Sequence, residues 1–451
     1  MTLKPILCAS EAQANFAELQ QPLTASQARI EASRCLNCFD APCIHACPTG
    51  IDVPSFIGRI AEGRELAAAK LIGEANLLGA SCARVCPTQV LCEGACVLKD
   101  RDEKPIEIGR LQRHATDAAS AAGLRVLGRA APATGKRVAV IGGGPAGLSC
   151  AADLARLGHA VTIVERHAQL GGLNTYGIAR YKLTMEDSLE EIRHIKELGI
   201  AFRMGVEIGS AAEGQALLKE FDAVFVAIGL GTGNALGIEG ESLPGVMDAL
   251  SFIREVHERP LHEISVGERV VVIGGGNTAI DAATQSARLG AQVTIVYRRT
   301  EGDMSAYDFE RAIARQDGVR FMFDAVPVAF VAREGRLCAV RIAGLATDIP
   351  CDMVLKAIGQ SKRADWLARV FPVRDRVFVG GDFANGGREV VNAIGEGRNA
   401  AFAIHAALGG SGALPPLQPS RLGMPEPRGA GLVKPVRPHE AERVWRSAPR
   451  G

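Results

Sequence analysis

Net charge of either sign is nearly absent: 51 Lys and Arg stand against 50 Asp and Glu, a formal balance of +1. A chain that grips nucleic acid or lies on a membrane surface wants a basic face, so neither partner is expected. No run of about 18 consecutive apolar residues is present that could span a bilayer. The opening stretch, Met1 to Glu11, has no apolar core leading to a small-residue cleavage site, so no secretory signal is read there. These absences lead to the expectation of a cytoplasmic protein. That compartment keeps thiols reduced, which makes the cysteines informative. There are twelve, and eight of them fall between Cys35 and Cys96. Such crowding in reducing surroundings points to metal rather than to disulfides. At 451 residues, 47% hydrophobic and 22% charged, the chain has an ordinary globular composition. It is too long for a single core.

Residues 1–125 read as helical and irregular, with helix-period stretches such as 54–71 set between Cys/Pro loops. A Gly/Ala-rich connector then leads into 136–165, which runs strand, Gly-rich turn, helix, strand. A similar unit recurs at 269–298. Between them lie a helical stretch, 185–198, and an apolar run, 223–229. Strand candidates follow at 320–325, 337–342, 353–359 and 377–381, and a helix at 391–408 ends the globular part. The segment 409–451 holds eight of the 22 prolines with a basic excess, and is expected to be disordered or a tether.

The first cysteine group is Cys35-x2-Cys38-x4-Cys43-x3-Cys47, followed by Pro48. The second is Cys82-x3-Cys86-Pro87-x4-Cys92-x3-Cys96. A [4Fe–4S] cluster wants soft thiolate ligands, and a Cys–Pro pair closing a run is typical of two-cluster ferredoxin-like folds, where the last cysteine often serves the other cluster. Structural zinc would favour tight C-x2-C pairs in two matched halves, and only Cys35/Cys38 is such a pair. Cys8, Cys150, Cys338 and Cys351 lie apart and read as isolated thiols.

The stretch from Val138 to Gly147 is a strand entering a G-x-G-x-x-G turn. Gly142 permits the tight turn, Gly144 lets a pyrophosphate approach the backbone, and Gly147 lets the helix pack on the strand. Pro145 and Ala146 open that helix, whose N-terminus would face the phosphates. The next strand ends at Glu165, placed to bind a ribose hydroxyl. The second unit carries Gly274, Gly276, Asn277, Thr278 and Ala279, with alanine at the third glycine position, which the fingerprint permits. Its second strand ends at Arg298 and Arg299, with no acid at the tip. Guanidinium in place of the acid suits a 2′-phosphate and leans towards NADPH. Two solvated arginines at a strand end remain the alternative. One cradle would hold a flavin and the other would present a nicotinamide to it. No side-chain acid or base is obligatory for that hydride step, so no catalytic residue is named.

Taken together with Gly171–Gly172, Ala227–Gly229, Ala357–Gly359 and Gly380–Asp382, these motifs resemble the glutathione-reductase-like flavoproteins. The resemblance implies FAD in the first cradle, with Gly381 and Asp382 along its ribityl chain and pyrophosphate. Asn392 and Ala393 would lie at the helix N-terminus near the flavin ring, and Gly172, Leu173, Gly229 and Gly359 would complete the cofactor-binding set. With the cysteine domain added, residues 25–408 resemble the electron-input half shared by the glutamate synthase small subunit and dihydropyrimidine dehydrogenase. Carried over, Cys35, Cys38, Cys43 and Cys96 would hold one cluster, and Cys47, Cys86, Cys92 and Gln112 the other. Cys82 is left over and could compete with Gln112 for the fourth place.

The fold class expected is α/β: an N-terminal all-helical two-[4Fe–4S] domain followed by two Rossmann-like, glutathione-reductase-like dinucleotide-binding domains. The expected boundaries are 1–125 for the cluster domain, 136–250 and 346–408 for the FAD domain, 251–345 for the NAD(P)H domain, and 409–451 for the tail. Nothing after residue 408 could form an FMN barrel. The chain therefore resembles the smaller subunit of bacterial dihydropyrimidine dehydrogenases, an NAD(P)H-dependent FAD and iron–sulfur oxidoreductase acting on CH–CH bonds. Its partner would be an FMN and iron–sulfur subunit carrying the pyrimidine site, where uracil and thymine are reduced to 5,6-dihydropyrimidines. The alternative is the glutamate synthase small subunit, feeding a glutamine amidotransferase partner. The bacterial pyrimidine subunit type is NAD-dependent, which conflicts with the local reading of Arg298 and Arg299.

Overall fold

The computed structural model describes residues 6–124, 126–127 and 130–411, so the expectation for the proline-rich tail lies, from residue 412 onward, outside the described residues. The chain forms two compact units. The first comprises Pro22–Gly171, Leu189–Gly229 and the described residues from Arg363 on. The second comprises the described residues up to Gln21, Gly172–Ser188 and Leu230–Lys362.

The first unit begins with the cysteine-rich helices. The Val53–Ala61 helix starts at Asp52, whose carboxylate accepts the Ser55 N–H at 3.2 Å, an N-cap that satisfies an otherwise orphaned donor. It buries Val53, Phe56, Ile57 and Ile60 on one face, worth roughly 1.5–3 kcal/mol for each large side chain. The Ile108–Ala121 helix buries Ile108, Leu111, Gln112, Ala115 and Ala119. A glutamine in that apolar stripe is the one polar intruder.

Four strands follow in the first unit: β1 (Arg137–Ile141), β2 (Ala160–Glu165), β3 (Ala201–Met204) and β4 (Ala223–Val226). The chain then builds the second unit with β5 (Val246–Asp248), β6 (Arg269–Ile273), β7 (Gln292–Val296), β8 (Arg320–Met322), β9 (Pro327–Arg333), β10 (Arg336–Ile342), β11 (Ile349–Pro350) and β12 (Met353–Lys356). It returns to the first unit as β13 (Val377–Val379) and the Val390–Ala407 helix. The first sheet has the order β13-β4-β1-β2-β3 and the second β5-β12-β6-β7-β8, with every pairing parallel. The central strands are buried on both faces: Val138, Ala139 and Val140 are fully buried. This is why they read as unbroken apolar runs rather than as alternation.

The boundaries differ from those expected. The run 353–359, expected to open the second FAD segment at 346, supplies β12 inside the second sheet, flanked by β5 and β6. Such a strand needs a neighbour on each side. Its register is fixed by Asp352, whose carboxylate accepts the N–H groups of Glu268 at 3.1 Å and Arg269 at 3.0 Å. The crossings therefore fall at Gly229/Leu230 and Lys362/Arg363 rather than at 250/251 and 345/346. Residues before Pro22 also leave the cysteine domain. Asn15 and Arg288 exchange side chain-to-carbonyl hydrogen bonds at 2.9 and 3.2 Å, tying that segment to the second unit.

Candidate functional site: two nucleotide cradles and a thiol-lined recess

In the first unit β1 runs into Gly142, whose φ is +103° and where a Cβ would come within 2.4 Å of the Ala227 carbonyl oxygen. A Cβ at Gly147 would lie 1.9 Å from the Gly142 carbonyl oxygen. Only glycine lets strand, turn and helix close on one another at these two places. Gly144 is the N-cap and Pro145 the first residue of the Pro145–Arg156 helix, a position where the missing N–H costs nothing. Gly144 and Pro145 are half-exposed at the mouth, while Ala146 and Gly147 are buried behind them. Glu165, at the end of β2, is buried and holds the turn: its oxygens accept the N–H groups of Gly143 and His167, each at 2.7 Å. A carboxylate oxygen has two acceptor sites, so a ribose hydroxyl can still be received.

Gly381 has φ +63°, and a Cβ there would stand 2.8 Å from the Ala146 side chain. Asp382 follows, accepting the Arg388 N–H at 3.3 Å, and burial pushes its carboxyl above the usual range. The Val390–Ala407 helix lies so close that a Cβ at Gly397 would be 2.1 Å from the Ala146 carbonyl oxygen. Asn392 is half-buried and Ala393 buried in its first turn. Gly229 stands in this unit, just beyond β4, whereas Gly172 and Leu173 head the segment that belongs to the second unit. The glycine-floored cradle with Glu165 at its rim fits a dinucleotide.

The second unit repeats the design. Gly274 has φ +144°, with the Ala357 carbonyl oxygen 2.2 Å from a built Cβ. Ala227–Gly229 and Ala357–Gly359 thus occupy corresponding places, and Gly359 accepts the Asn234 N–H at 3.0 Å within the second unit. This places Gly359 in the second cradle rather than in the FAD domain. Gly276 caps the Asn277–Arg288 helix, Thr278 is half-exposed, and Ala279 is buried. Asn277 accepts the Tyr307 N–H at 3.2 Å, and Ala306 N–H donates to the Gly275 carbonyl at 3.0 Å, so residues 306–307 fold back over the motif. Arg298 and Arg299 are both exposed just beyond β7. Sequence reasoning missed a buried triad here, because no local spacing signals it. Lys182 Nζ lies 2.6 Å from Asp281 and 2.6 Å from Glu310. Burial opposes its charge, but Asp281 and Glu310 outweigh it and hold the amine protonated.

Among the described residues, no three His, Cys, Asp or Glu side chains close around a single metal ion. Instead Cys35, Cys38, Cys43 and Cys96 line one small recess, open to solvent and otherwise walled by side chains such as Val53 and Ile57. Burial, then the neighbouring Cys35 and Cys96, push the Cys43 thiol up to about 12. A second group is formed by Cys47, Cys86 and Cys92, whose charges act on one another. Cys86 is raised first by a side-chain hydrogen bond with Cys82 and then by burial. Thiols so resistant to ionising alone become ligands only against metal charge. Gln112 is buried, and its Nε2 donates to the Gly79 carbonyl at 2.7 Å. A residue no spacing could have found pins the same place: Glu191 accepts the N–H groups of Ala80 at 2.6 Å and Ser81 at 3.0 Å.

The two features of the first unit meet. A Cβ on Gly395, in the Val390–Ala407 helix, would stand 2.8 Å from the Pro48 carbonyl oxygen. Cys47, Cys82 and Cys86 pack on the same core as Val140, Ala146 and Ala393.

A nucleotide cradle sharing its core with a thiol-rich helical domain, and a second cradle of the same build, define a pyridine-nucleotide flavoprotein with iron–sulfur chemistry. Residues 12–124 match the family described as dihydropyrimidine dehydrogenase domain II, 4Fe-4S cluster, and residues 136–397 match pyridine nucleotide-disulphide oxidoreductase. The chain belongs to the pyridine nucleotide-disulphide oxidoreductase family, in the branch that carries this iron–sulfur domain. It is 34% identical over 441 residues to the glutamate synthase [NADPH] small chain of Escherichia coli K12, covering 86% of this chain and 93% of that one. It is 36% identical over 407 residues to the NAD-dependent dihydropyrimidine dehydrogenase subunit PreT of the same organism, covering 87% and 97%. A solved complex of 2-naphthoyl-CoA reductase shares the fold, with a TM-score of 0.54 at 23% identity over 79% of this chain and 49% of that one. FAD, [4Fe–4S] clusters and NAD(P)H are the cofactors, and the chain is an NAD(P)H-dependent electron-input subunit. Among the described residues no helix is long and apolar enough to cross a membrane.

Proposed function

We propose that this chain is the electron-input subunit of a dihydropyrimidine dehydrogenase, delivering electrons to an FMN and iron–sulfur partner that reduces uracil and thymine to their 5,6-dihydro forms. The observation that carries the reading is the PreT relative, matched over 97% of its length at 36% identity. When bound, the cofactors supply hydride transfer from nicotinamide to flavin and one-electron steps through the clusters.

The chain's own residues bind and orient. Gly142, Gly144 and Gly147 admit the FAD pyrophosphate to the helix N-terminus, Glu165 receives the ribose, and Gly381, Asp382, Asn392 and Ala393 border the flavin. Gly229, in the same unit, completes that set. Gly274, Gly276, Asn277, Thr278, Ala279 and Gly359 form the nicotinamide cradle. The exposed Arg298 and Arg299 are placed to meet a 2′-phosphate, which favours NADPH.

Cys35, Cys38, Cys43 and Cys96 hold the outer cluster. Cys47, Cys86, Cys92 and Gln112 hold the inner one, beside the flavin fold, since Pro48 abuts Gly395. With Gln112 Nε2 donating to the Gly79 carbonyl, Oε1 would be the atom left to hold iron. Phe39, fully exposed between Cys38 and Cys43, gives the partner an apolar foothold beside the outer set.

The glutamate synthase relative, matched over 93% of its length, supports a second reading with a glutamine amidotransferase partner. The complex isolated on the tagged chain decides between them. Uracil accelerates its NAD(P)H oxidation on the first reading, and glutamine with 2-oxoglutarate on the second. No acceleration by uracil refutes the first.

A further inference from the structure

The buried Lys182–Asp281–Glu310 triad has no part in the chemistry described so far. Its side chains come from three separate stretches of the second unit: the segment Gly172–Ser188, the Asn277–Arg288 helix and the Asp308–Gln316 helix. Lys182 Nζ stands 2.6 Å from an oxygen of each carboxylate, and the three side chains are only 11, 9 and 10% exposed. Two consecutive N–H groups of the same segment also dock on the Asn277–Arg288 helix. Ala179 donates to Asp281 at 3.3 Å and Arg180 to Gln285 at 3.1 Å. A buried ion cluster adds little more stability than apolar packing of the same volume, so what this one contributes is placement.

What it places is the second glycine motif and its cover. The Asn277–Arg288 helix begins at that motif, and Asp281 lies one turn in, about 6 Å along the axis from Asn277. Glu310 is the third residue of the Asp308–Gln316 helix. The residues just before that helix fold back over the motif. Ala306 N–H donates to the Gly275 carbonyl at 3.0 Å and Tyr307 N–H to the Asn277 side chain at 3.2 Å. The Ser305 hydroxyl is 3.4 Å from where a Cβ on Gly276 would sit. Arg311, beside Glu310, donates to the Ala306 carbonyl at 3.2 Å and so joins the helix to the strap that precedes it. One ammonium thus ties the helix that opens at the motif to the helix that carries the cover. Without it, two like charges face each other across that junction.

We propose that Lys182 is a positioning residue for the nicotinamide dinucleotide: it clamps the Asp308–Gln316 helix to the Asn277–Arg288 helix and so holds residues 305–307 over the motif that receives the pyrophosphate. The inference rests on the assignment of the second cradle made above. With its ammonium held between two carboxylates, Lys182 acts through the helices on which they stand. The part of the ligand it serves is the pyrophosphate, which NADH and NADPH share. Loss of the clamp therefore weakens both dinucleotides alike, whereas loss of Arg298 and Arg299 weakens one.

The test uses the full chain with its flavin and clusters. Wild type, Lys182→Met and Lys182→Arg are compared by flavin content, by calorimetric titration with NADP+ and with NAD+, and by the limiting rate of flavin reduction at saturating NADPH. Lys182→Met should weaken both dinucleotides by the same factor, about tenfold, mid-range for uncoupling groups of one ion-pair network. Flavin content and the limiting rate should stay at wild-type values, as expected when only binding is lost. Lys182→Arg, which keeps a cation between the carboxylates, should restore most of the affinity. Unchanged affinity in Lys182→Met overturns the proposal, as does weakening of one dinucleotide only, or a fall in the limiting rate with affinity intact. An affinity in Lys182→Arg no better than in Lys182→Met would make the effect one of packing and overturns it too. If Lys182→Met does not fold, Glu310→Gln decides, since Lys182 and Asp281 remain a neutral pair there. Weaker binding of both dinucleotides in that variant supports the clamp, and wild-type binding refutes it. Gly276→Glu tests the assignment beneath, because it sets a carboxylate where the pyrophosphate would enter. If Gly276→Glu binds both dinucleotides as wild type does, the cradle is not the site. If only Lys182→Met does so, the cradle stands and the clamp falls.

Discussion

Replacing Glu191 by glutamine separates what the carboxylate holds from what its charge costs. Glu191 is buried in the first unit, where it binds Ala80 and Ser81 at the head of the helix that leads to Cys86. Burial outweighs those hydrogen bonds and the nearby Arg84, and raises the carboxyl from 4.5 to about 7. A group whose pKa is higher in the folded than in the unfolded chain stabilises the fold fully below the unfolded value. That contribution is lost as pH rises through the folded value, here between 4.5 and about 7. At ~1.4 kcal/mol per unit, the shift corresponds to roughly 3 kcal/mol. The Glu191→Gln side chain carries no charge and so has no such slope. Its amide oxygen replaces one acceptor, but its NH2 meets backbone donors, costing about 1–3 kcal/mol. The variant should therefore be less stable than wild type at pH 5, with the gap closing or reversing by pH 8. Urea midpoints followed by the fluorescence of Trp366, buried in the same unit, measure this. The difference between variant and wild type at each pH is the quantity to read. Parallel curves across the range would refute the argument.

Three further variants probe the cradles and the path from flavin to cluster. Gly147→Ala drives a methyl against the Gly142 carbonyl, 1.9 Å from the ideal Cβ, and should yield protein with little bound flavin, read from its absorbance. Removing both Arg298 and Arg299 should raise the KM for NADPH about tenfold, as expected for losing a charge-assisted contact at an exposed site, while leaving that for NADH unchanged. Gly395→Ala presses on Pro48, whose carbonyl oxygen is 2.8 Å from the built Cβ. Stopped-flow mixing with NAD(P)H should then show flavin reduction at the normal rate and slower bleaching of the clusters.

The strongest sequence signals were those in which backbone chemistry is written in residue type. The glycines at 142, 147 and 274 are dictated by carbonyls crossing within 2.4 Å of where a Cβ would sit, and a motif reports that directly. The eight crowded cysteines announced metal for the same reason: thiol chemistry survives in the letters. The boundary between units was not legible, because β12 is as apolar as any strand of the first sheet and only its pairing partners assign it. Strand β9 was missed, since it opens on Pro327, and proline argues against a strand unless it lies at an end. Glu191 and the Lys182–Asp281–Glu310 triad join residues about a hundred positions apart. Such contacts exist only once the chain has folded.

The shared core beneath Cys47 and the flavin cradle bears on how this protein could be re-engineered. The family boundaries suggest a cassette, 12–124, to be cut away or swapped between oxidoreductases. Physically no such cassette exists. Leu77, Leu78 and Cys82 pack with Val140, Ala146 and Ile394 in one cluster, and Arg398 reaches back to donate to the Glu74 carbonyl at 2.6 Å. A graft cut at the connector would leave both pieces with a raw apolar face. A transplantable wiring module for this class of flavoprotein has to carry the Val390–Ala407 helix along with the cysteines.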